Sequence, residues 1–254
     1  MNKQEYQYNF SAQHADTMYN QQQRRQKAGK TLAVLKDSLG DLNGLSLLDI
    51  GCSTGIMTAL YGPAFGRVTG IDIDEPAVNF AIKNNTEQNI EYHVRDAMNT
   101  GFASESFDVI TCSHIYEHVP NARKMMDEIF RLLRPGGACY FVAGNRLNLI
   151  EGHYKLPFLS IMPKRVAHLY LRLLSRGAHY YETHLTLWSL RELVKDFEIL
   201  DYTRKIIADP EKFSATELVT PNSLTQKIGL WVVKWFYFLV PNYVWVLVKK
   251  VERE

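Results

Sequence analysis

Cysteine is scarce: Cys52, Cys112 and Cys139 are all that 254 residues contain. The number is odd, no CxxC pair occurs, and Cys112 and Cys139 sit in apolar runs that read as strands. Buried free thiols in a reducing compartment are therefore expected rather than a disulfide framework. The opening stretch MNKQEYQYNFSAQ lacks the apolar core of a secretory signal, which leads to the expectation of a cytoplasmic protein. An excess of either charge is also missing. With 29 Lys and Arg against 27 Asp and Glu the formal charge is +2, so no general attraction to nucleic acid is implied. Internal repeats and low-complexity tracts are absent. What is present, at 46% hydrophobic and 22% charged residues, suits one globular domain with insertions.

Apolar runs and helical patterns alternate from residue 46 onward. Strands are expected at Ser46–Ile50, Arg67–Asp72, Ile90–Val94, Phe107–Cys112 and Ala138–Ala143, with helices from about Ile56, after Glu75-Pro76, and through Met125, Ile129 and Leu132. This spacing implies right-handed crossovers and a parallel sheet covered on both faces, an α/β doubly wound fold. Residues 1–45 read as a helical cap over one sheet edge, and 46–254 as the main domain. The regularity breaks after Asn145. The stretch 146–186 reads as a lid with a helix starting at Pro163, followed by a helix at Leu187–Val194 and a strand at Phe197–Tyr202. A second insertion, 210–240, precedes a last, antiparallel strand at Tyr243–Val248.

The centre of the chain is Leu47-Leu48-Asp49-Ile50-Gly51-Cys52-Ser53-Thr54-Gly55, an apolar strand ending in an acid and a glycine turn that opens a helix. Close ligand approach and free N–H donors are expected there. A dinucleotide fingerprint would need glycine at 53 and 56, where Ser and Ile stand, and Asp49 would repel a pyrophosphate. The G-x-S-x-G of a hydrolase elbow is matched by Gly51-Cys52-Ser53-Thr54-Gly55, but here it follows the first strand of its sheet. S-adenosylmethionine answers better: it carries cationic ammonium and sulfonium groups, and its ribose and adenine need acceptors further on. Asp72 ends the second strand, where a carboxylate can take both ribose hydroxyls, and Asp96 follows the third, within reach of the adenine amine. Acids at the ends of successive parallel strands point into one crevice. Asp74 and Glu75 read as helix-capping acids instead.

The segments LLDIGCSTG, VTGIDID, RDA, FDVITCSHIYEHVP and LLRPGG, over residues 46–143, together resemble the class I S-adenosylmethionine-dependent methyltransferases, especially the ubiquinone- and menaquinone-biosynthesis branch. Ser53 stands where that family usually has glycine. The resemblance implies a Rossmann-like sheet of seven strands and a cofactor site made by Asp49, Gly51, Cys52, Ser53, Gly55, Asp72, Ile73, Asp96, Ala97 and Ser113.

Methyl transfer to a hydroxyl needs a positioned acceptor and a base. The loop after the fourth strand supplies His114, Glu117 and His118, and the lid adds His153 or Tyr154; His114, Glu117, His118 and His153 are the candidate catalytic residues. His114-x-x-Glu117-His118 also fits a zinc-peptidase pattern, but it straddles a strand end rather than one helix face. A magnesium-type Glu-x-x-Glu-His would need Glu at 114, so no metal is expected. The acceptor reads as a small or lipid-like molecule methylated at oxygen. The apolar tail LWVVKWFYFLV reads as a helix packed in the core, with peripheral contact at a membrane interface as the second reading, which basic amphipathic residues 163–176 also suit, and a single span as the third. The alternative function is a non-catalytic binding or assembly protein on the same fold.

Overall fold

In the computed structural model, which describes residues 8–250, the strands are β1 (Ser46–Ile50), β2 (Arg67–Asp72), β3 (Ile90–Val94), β4 (Phe107–Ser113), β5 (Leu133–Gly144), β6 (Phe197–Asp201) and β7 (Asn242–Lys249). They form one sheet in the order β3-β2-β1-β4-β5-β7-β6. The β1–β5 ladders are parallel, and β7 runs antiparallel to both β5 and β6. The chain leaves β1 for β2 on one side and returns to β4 on the other. Strand order therefore reverses at β1, which opens a crevice at the carboxyl ends of β1 and β4.

The period-2 alternation of each strand feeds two cores. On one face Leu48, Ile50, Ile110, Cys112, Cys139, Phe141, Trp245 and Leu247 pack with Met125, Met126 and Ile129 of α6 (Ala122–Leu132) and with Leu187 and Leu190 of α8 (Leu187–Leu193). On the other, Leu47, Val68, Val109, Ala138, Tyr140 and Val246 pack with Ala28, Val34 and Leu35 of α3 (Gln21–Leu39), and with Val78 and Ala81 of α5 (Glu75–Asn84). All three cysteines are buried and free.

The expected strands fall within a residue or two of those observed, except that β5 starts five residues early through a register shift between Phe107 and Val109. Helix starts follow side-chain chemistry: Asn20, Asp74, Asn121, Thr186 and Ser223 each accept a hydrogen bond from the backbone N–H three residues on. The capping expectation for Asp74 is thereby met. Three local expectations are corrected. First, α3 is not confined to an edge: Ala28, Val34 and Leu35, which share one helical face, belong to the same buried cluster as Leu47 of β1, Val109 of β4 and Ala138 of β5. Second, Pro163 is the N-cap of α7 (Lys164–Leu173), its extended ψ of 143° keeping it outside the helix. Third, the tail helix α10 (Leu224–Trp235) is not core, since Val233 is its buried residue while Leu224, Ile228, Trp231 and Trp235 face outward. Among the described residues no helix is long and apolar enough to cross a membrane.

Candidate active site

A cavity of about 540 Å³ lies over the carboxyl ends of β1–β5. One end of it is built by the turn after β1. Gly51 has φ +77° and Gly55 φ +73°, and Ser53 also takes a left-handed φ of 48°. That conformation costs a non-glycine residue about 1–2 kcal/mol. A Cβ on Gly51 would overlap Ile115 Cδ1 and lie 2.8 Å from its Cγ1, so glycine is required twice over. Four of the turn's N–H groups are already taken within the protein. Gly51 and Cys52 N–H both donate to Ile71 O, Gly55 N–H donates to Cys52 O, and Ser53 N–H donates to Asp72 Oδ2 at 2.8 Å. Its unspent polar atom is the buried Ser53 Oγ, which lacks a hydrogen-bond partner.

Three carboxylates stand along the crevice. Asp49 is nearly buried, and its two oxygens accept from Thr58 Oγ1 and Thr111 Oγ1 at 2.6 Å each. Burial pushes its carboxyl upward against those two bonds. Asp72 accepts from Asp74 N–H at 3.0 Å as well as from Ser53, yet burial still raises its pKa to about 6. Asp96 folds back to accept from Met98 N–H at 2.8 Å. Asp49, Gly51, Cys52, Ser53, Asp72, Ile73, Asp96, Ala97 and Ser113 all line the cavity. Gly55 does not: it lies behind the turn, where a Cβ would meet Ala81 and Tyr92.

Sequence reasoning missed the positive groups opposite. Arg24 and Lys27 of α3 line the same cavity. Arg24 is held by Thr17 O and the sulfurs of Met18 and Met57, and burial lowers its pKa against the pull of Asp49 and Asp72. Burial, with Arg24, Lys30 and Lys155 nearby, brings Lys27 down to about 8. The detectable signal was spacing: positions 24, 27, 28 and 31 share one side of a helix whose apolar members are buried. The helical segment in front, α1 (Phe10–Gln13) and α2 (Ala15–Met18), straps the opening. Ser11 N–H donates to Asp74 Oδ2 at 2.7 Å, and Thr54 Oγ1 donates to Met18 O at 2.9 Å.

The other end of the cavity is rich in histidine and glutamate. His114 directly follows β4 with φ 58°, and its Nδ1 lies 3.3 Å from Oε1 of the fully buried Glu117. Glu117 pays desolvation, but the His114 hydrogen bond and the fields of His114, His118 and His184 outweigh it and hold the acid at about 2. His153 Nδ1 lies 2.8 Å from Oε1 of buried Glu151, whose Oε2 accepts from the N–H of His153 and Tyr154. Burial works against protonating His153, yet Glu151, Glu182 and Glu117 together raise its pKa. His118 packs edge-on to His153 with ring centroids 5.0 Å apart, and Phe10 packs on His118 at 4.8 Å.

All four candidate catalytic residues thus border one space. Tyr154 does not: it lines a neighbouring pocket and its hydroxyl donates to His179 O. Glu151 and Glu182 escaped the sequence reading, although they are the lone acids between residues 146 and 191. The segments that carry these groups are locked together through Tyr116, whose hydroxyl donates to Gly144 O and accepts from Leu185 N–H.

The residues fit S-adenosylmethionine: paired carboxylates for cationic and hydroxyl groups, the orphan Ser53 Oγ, and cations opposite for a carboxylate. Residues 48–141 match a family model described as a methyltransferase domain. A demethylmenaquinone methyltransferase of Lactococcus lactis is 35% identical over 134 residues, 49% of this chain and 53% of that protein. A ubiquinone biosynthesis O-methyltransferase of Coxiella burnetii is 31% identical over 156 residues, 58% of this chain and 62% of that one. The chain thus spans under two thirds of the length of either relative. Among solved structures, a phosphoethanolamine N-methyltransferase of Haemonchus contortus in complex with S-adenosyl-L-methionine superposes with a TM-score of 0.54 at 23% identity, covering 87% of this chain and 52% of that one. An S-adenosylmethionine-dependent methyltransferase of Methanosarcina mazei gives 0.54 at 20% identity, covering 86% and 98%.

Proposed function

We propose that the chain, whose residues 48–141 match a methyltransferase domain, acts as a class I S-adenosylmethionine-dependent methyltransferase and transfers a methyl group to the oxygen of a small or lipid-like acceptor. One observation carries this reading: a single cavity has acids and cations suited to the cofactor at one end and two His–Glu pairs at the other. S-adenosylmethionine supplies the activated methyl group. Asp72 accepts from the ribose hydroxyls, Asp96 serves the adenine end, Asp49 faces the cationic end, and Arg24 and Lys27 hold the carboxylate. His114 is the proton acceptor: Glu117 engages Nδ1 and leaves Nε2 as the basic nitrogen in that tautomer. Residues 146–186 form the acceptor lid. The names of the relatives, which concern ubiquinone and demethylmenaquinone, support a quinone-related acceptor.

A lipid-like acceptor fits a surface that touches a membrane. Leu224, Ile228, Trp231 and Trp235 form one exposed stripe of α10, with exposed Trp188, Phe236 and Leu239 nearby along the chain or through the Trp188–Phe238 ring contact. Those residues lead into β7, whose start lies at the cavity end of the sheet. Residues 152–181 and 221–250 contain Lys and Arg but no Asp or Glu, a balance suited to an anionic surface.

The test is incubation of the full chain with labelled S-adenosylmethionine and a lipid extract. Label should appear in the lipid fraction, and His114→Gln should lower kcat roughly 10²–10⁴-fold while leaving S-adenosylhomocysteine affinity nearly unchanged. A folded sample that binds no S-adenosylhomocysteine refutes the proposal; binding without transfer to any lipid favours a non-catalytic binding protein.

A further inference from the structure

His118, His153 and Glu182 come from three separate segments: the turn after β4, the stretch after β5, and the stretch before α8. Their ligand atoms all lie within 4.8 Å of one another. The first two line the cavity. We propose that these three side chains form a binding site for a divalent transition-metal ion whose remaining coordination positions open toward the acceptor end of the cavity.

Four features of the surroundings support a site built for a cation. First, two of the three ligands are set by contacts of their own. Glu151 takes Nδ1 of His153 at 2.8 Å and also accepts from the His153 backbone N–H, which fixes the ring and leaves Nε2 for a metal. Carboxylate–histidine pairing of this kind orients a ligand and raises its basicity. Glu182 is fixed through its main chain, because Lys164 Nζ donates to its carbonyl oxygen and Thr183 N–H donates to Glu117 O at 2.8 Å. Second, three carboxylates, Glu117, Glu151 and Glu182, are at most 1% exposed within one neighbourhood. Burying a charge is costly unless an opposite charge accompanies it, and these acids are faced by the imidazoles of His114, His118, His153 and His184 and by the ammonium of Lys164. Third, Glu117 Oε2 is buried in the cavity wall without a hydrogen-bond partner. Finally, two imidazoles and one carboxylate suit Zn²⁺, Co²⁺, Fe²⁺ or Mn²⁺ better than Mg²⁺ or Ca²⁺, which favour all-oxygen shells.

The arrangement departs from the sequence pattern His114-x-x-Glu117-His118. His114 is occupied with Glu117 at 3.3 Å, while His118 turns to residues from beyond β5. The metal's ligands are therefore supplied by the fold rather than by one motif. Its role, to hold and acidify a hydroxyl of the acceptor beside His114, rests on the transferase reading; the site itself does not.

The experiment titrates the chelator-stripped full chain with Co²⁺, following its visible absorption, and then displaces the Co²⁺ with Zn²⁺ in a calorimeter. A single site per chain is expected, with the absorption of a low-coordinate Co²⁺ ion bound to nitrogen. His153→Ala and the isosteric Glu182→Gln should abolish it. Glu151→Gln, which acts through His153, should weaken Co²⁺ affinity roughly 10–100-fold while S-adenosylhomocysteine binding is retained. No absorption change in the wild type, or one that survives both His153→Ala and Glu182→Gln, overturns the site. A wild type that binds Co²⁺ but no S-adenosylhomocysteine would sink the transferase reading and leave the metal site standing.

Discussion

Cofactor binding should carry the ionisation of Asp72. Its carboxylate is useful to ribose hydroxyls as an acceptor through both oxygens, a role that needs the charged form. Burial raises its pKa from 3.8 to about 6, so the free protein holds a proton there over a range in which an exposed aspartate would not. The sign follows directly: binding is at full strength above about pH 6 and weakens as pH falls through it. Below that value each pH unit costs about tenfold in affinity, or about 1.4 kcal/mol. Between pH 7 and pH 5 the dissociation constant for S-adenosylhomocysteine should therefore rise roughly tenfold. Asp72→Asn keeps the shape of the side chain but has no proton to lose, so it should bind weakly at both pH values and show a much shallower profile. Isothermal titration calorimetry at pH 5, 6, 7 and 8 measures this, and proton uptake in buffers of different ionisation enthalpy provides a second readout. A wild-type profile flat from pH 5 to 7 would refute the reasoning, as would a slope of the same size in Asp72→Asn. The first result would place the carboxylate outside the cofactor contact; the second would move the titration to another group.

Two further outcomes test the turn and the surface. Gly51→Ala should destabilise the chain by roughly 2–5 kcal/mol, from a left-handed backbone and overlap with Ile115. Gly44→Ala, at φ +83° with nothing within 4 Å of the added Cβ, should cost only the backbone part of about 1–2 kcal/mol; equal losses in urea denaturation would contradict the assigned overlap. For the membrane contact, the full chain should float with vesicles of anionic lipid and much less with zwitterionic ones. Trp231→Ser combined with Trp235→Ser should reduce flotation several-fold, and unchanged flotation would remove α10 from the contact.

The sheet was legible in the chain because its evidence is local. Apolar runs such as Leu47–Ile50 and Val109–Cys112, broken by Gly and Asp, state where strands start and stop, and caps such as Asp74 and Asn121 state where helices begin. The crevice acids were equally legible, since an Asp at or just beyond the end of a parallel strand is delivered to the crevice whatever lies elsewhere in the sequence. Asp49, Asp72 and Asp96 needed nothing but strand order. The turn after β1 was half legible: its glycines announced positive φ, but the fate of its N–H groups depended on β2, whose Ile71 carbonyl and Asp72 carboxylate take them.

Tertiary structure decided what was distant in the chain. Arg24 and Lys27 reach the cavity because α3 crosses mid-sheet, a placement set by the packing of Ala28, Val34 and Leu35. Whether α10 was core or surface could not be read from its composition, because burial depends on which face finds a partner, and here Val233 does while Trp231 and Trp235 do not. The grouping of His118, His153 and Glu182 is the clearest case. No local pattern links residues 35 and 29 positions apart along the chain, and only the docking of the 146–186 segment onto the end of β4, through Tyr116 and Thr183, brings their ligand atoms together. Sequence alone determined the scaffold and the acids at the strand ends, since both follow from short-range periodicity; the cations that share their cavity and the grouping of histidines with glutamates were decided by long-range packing.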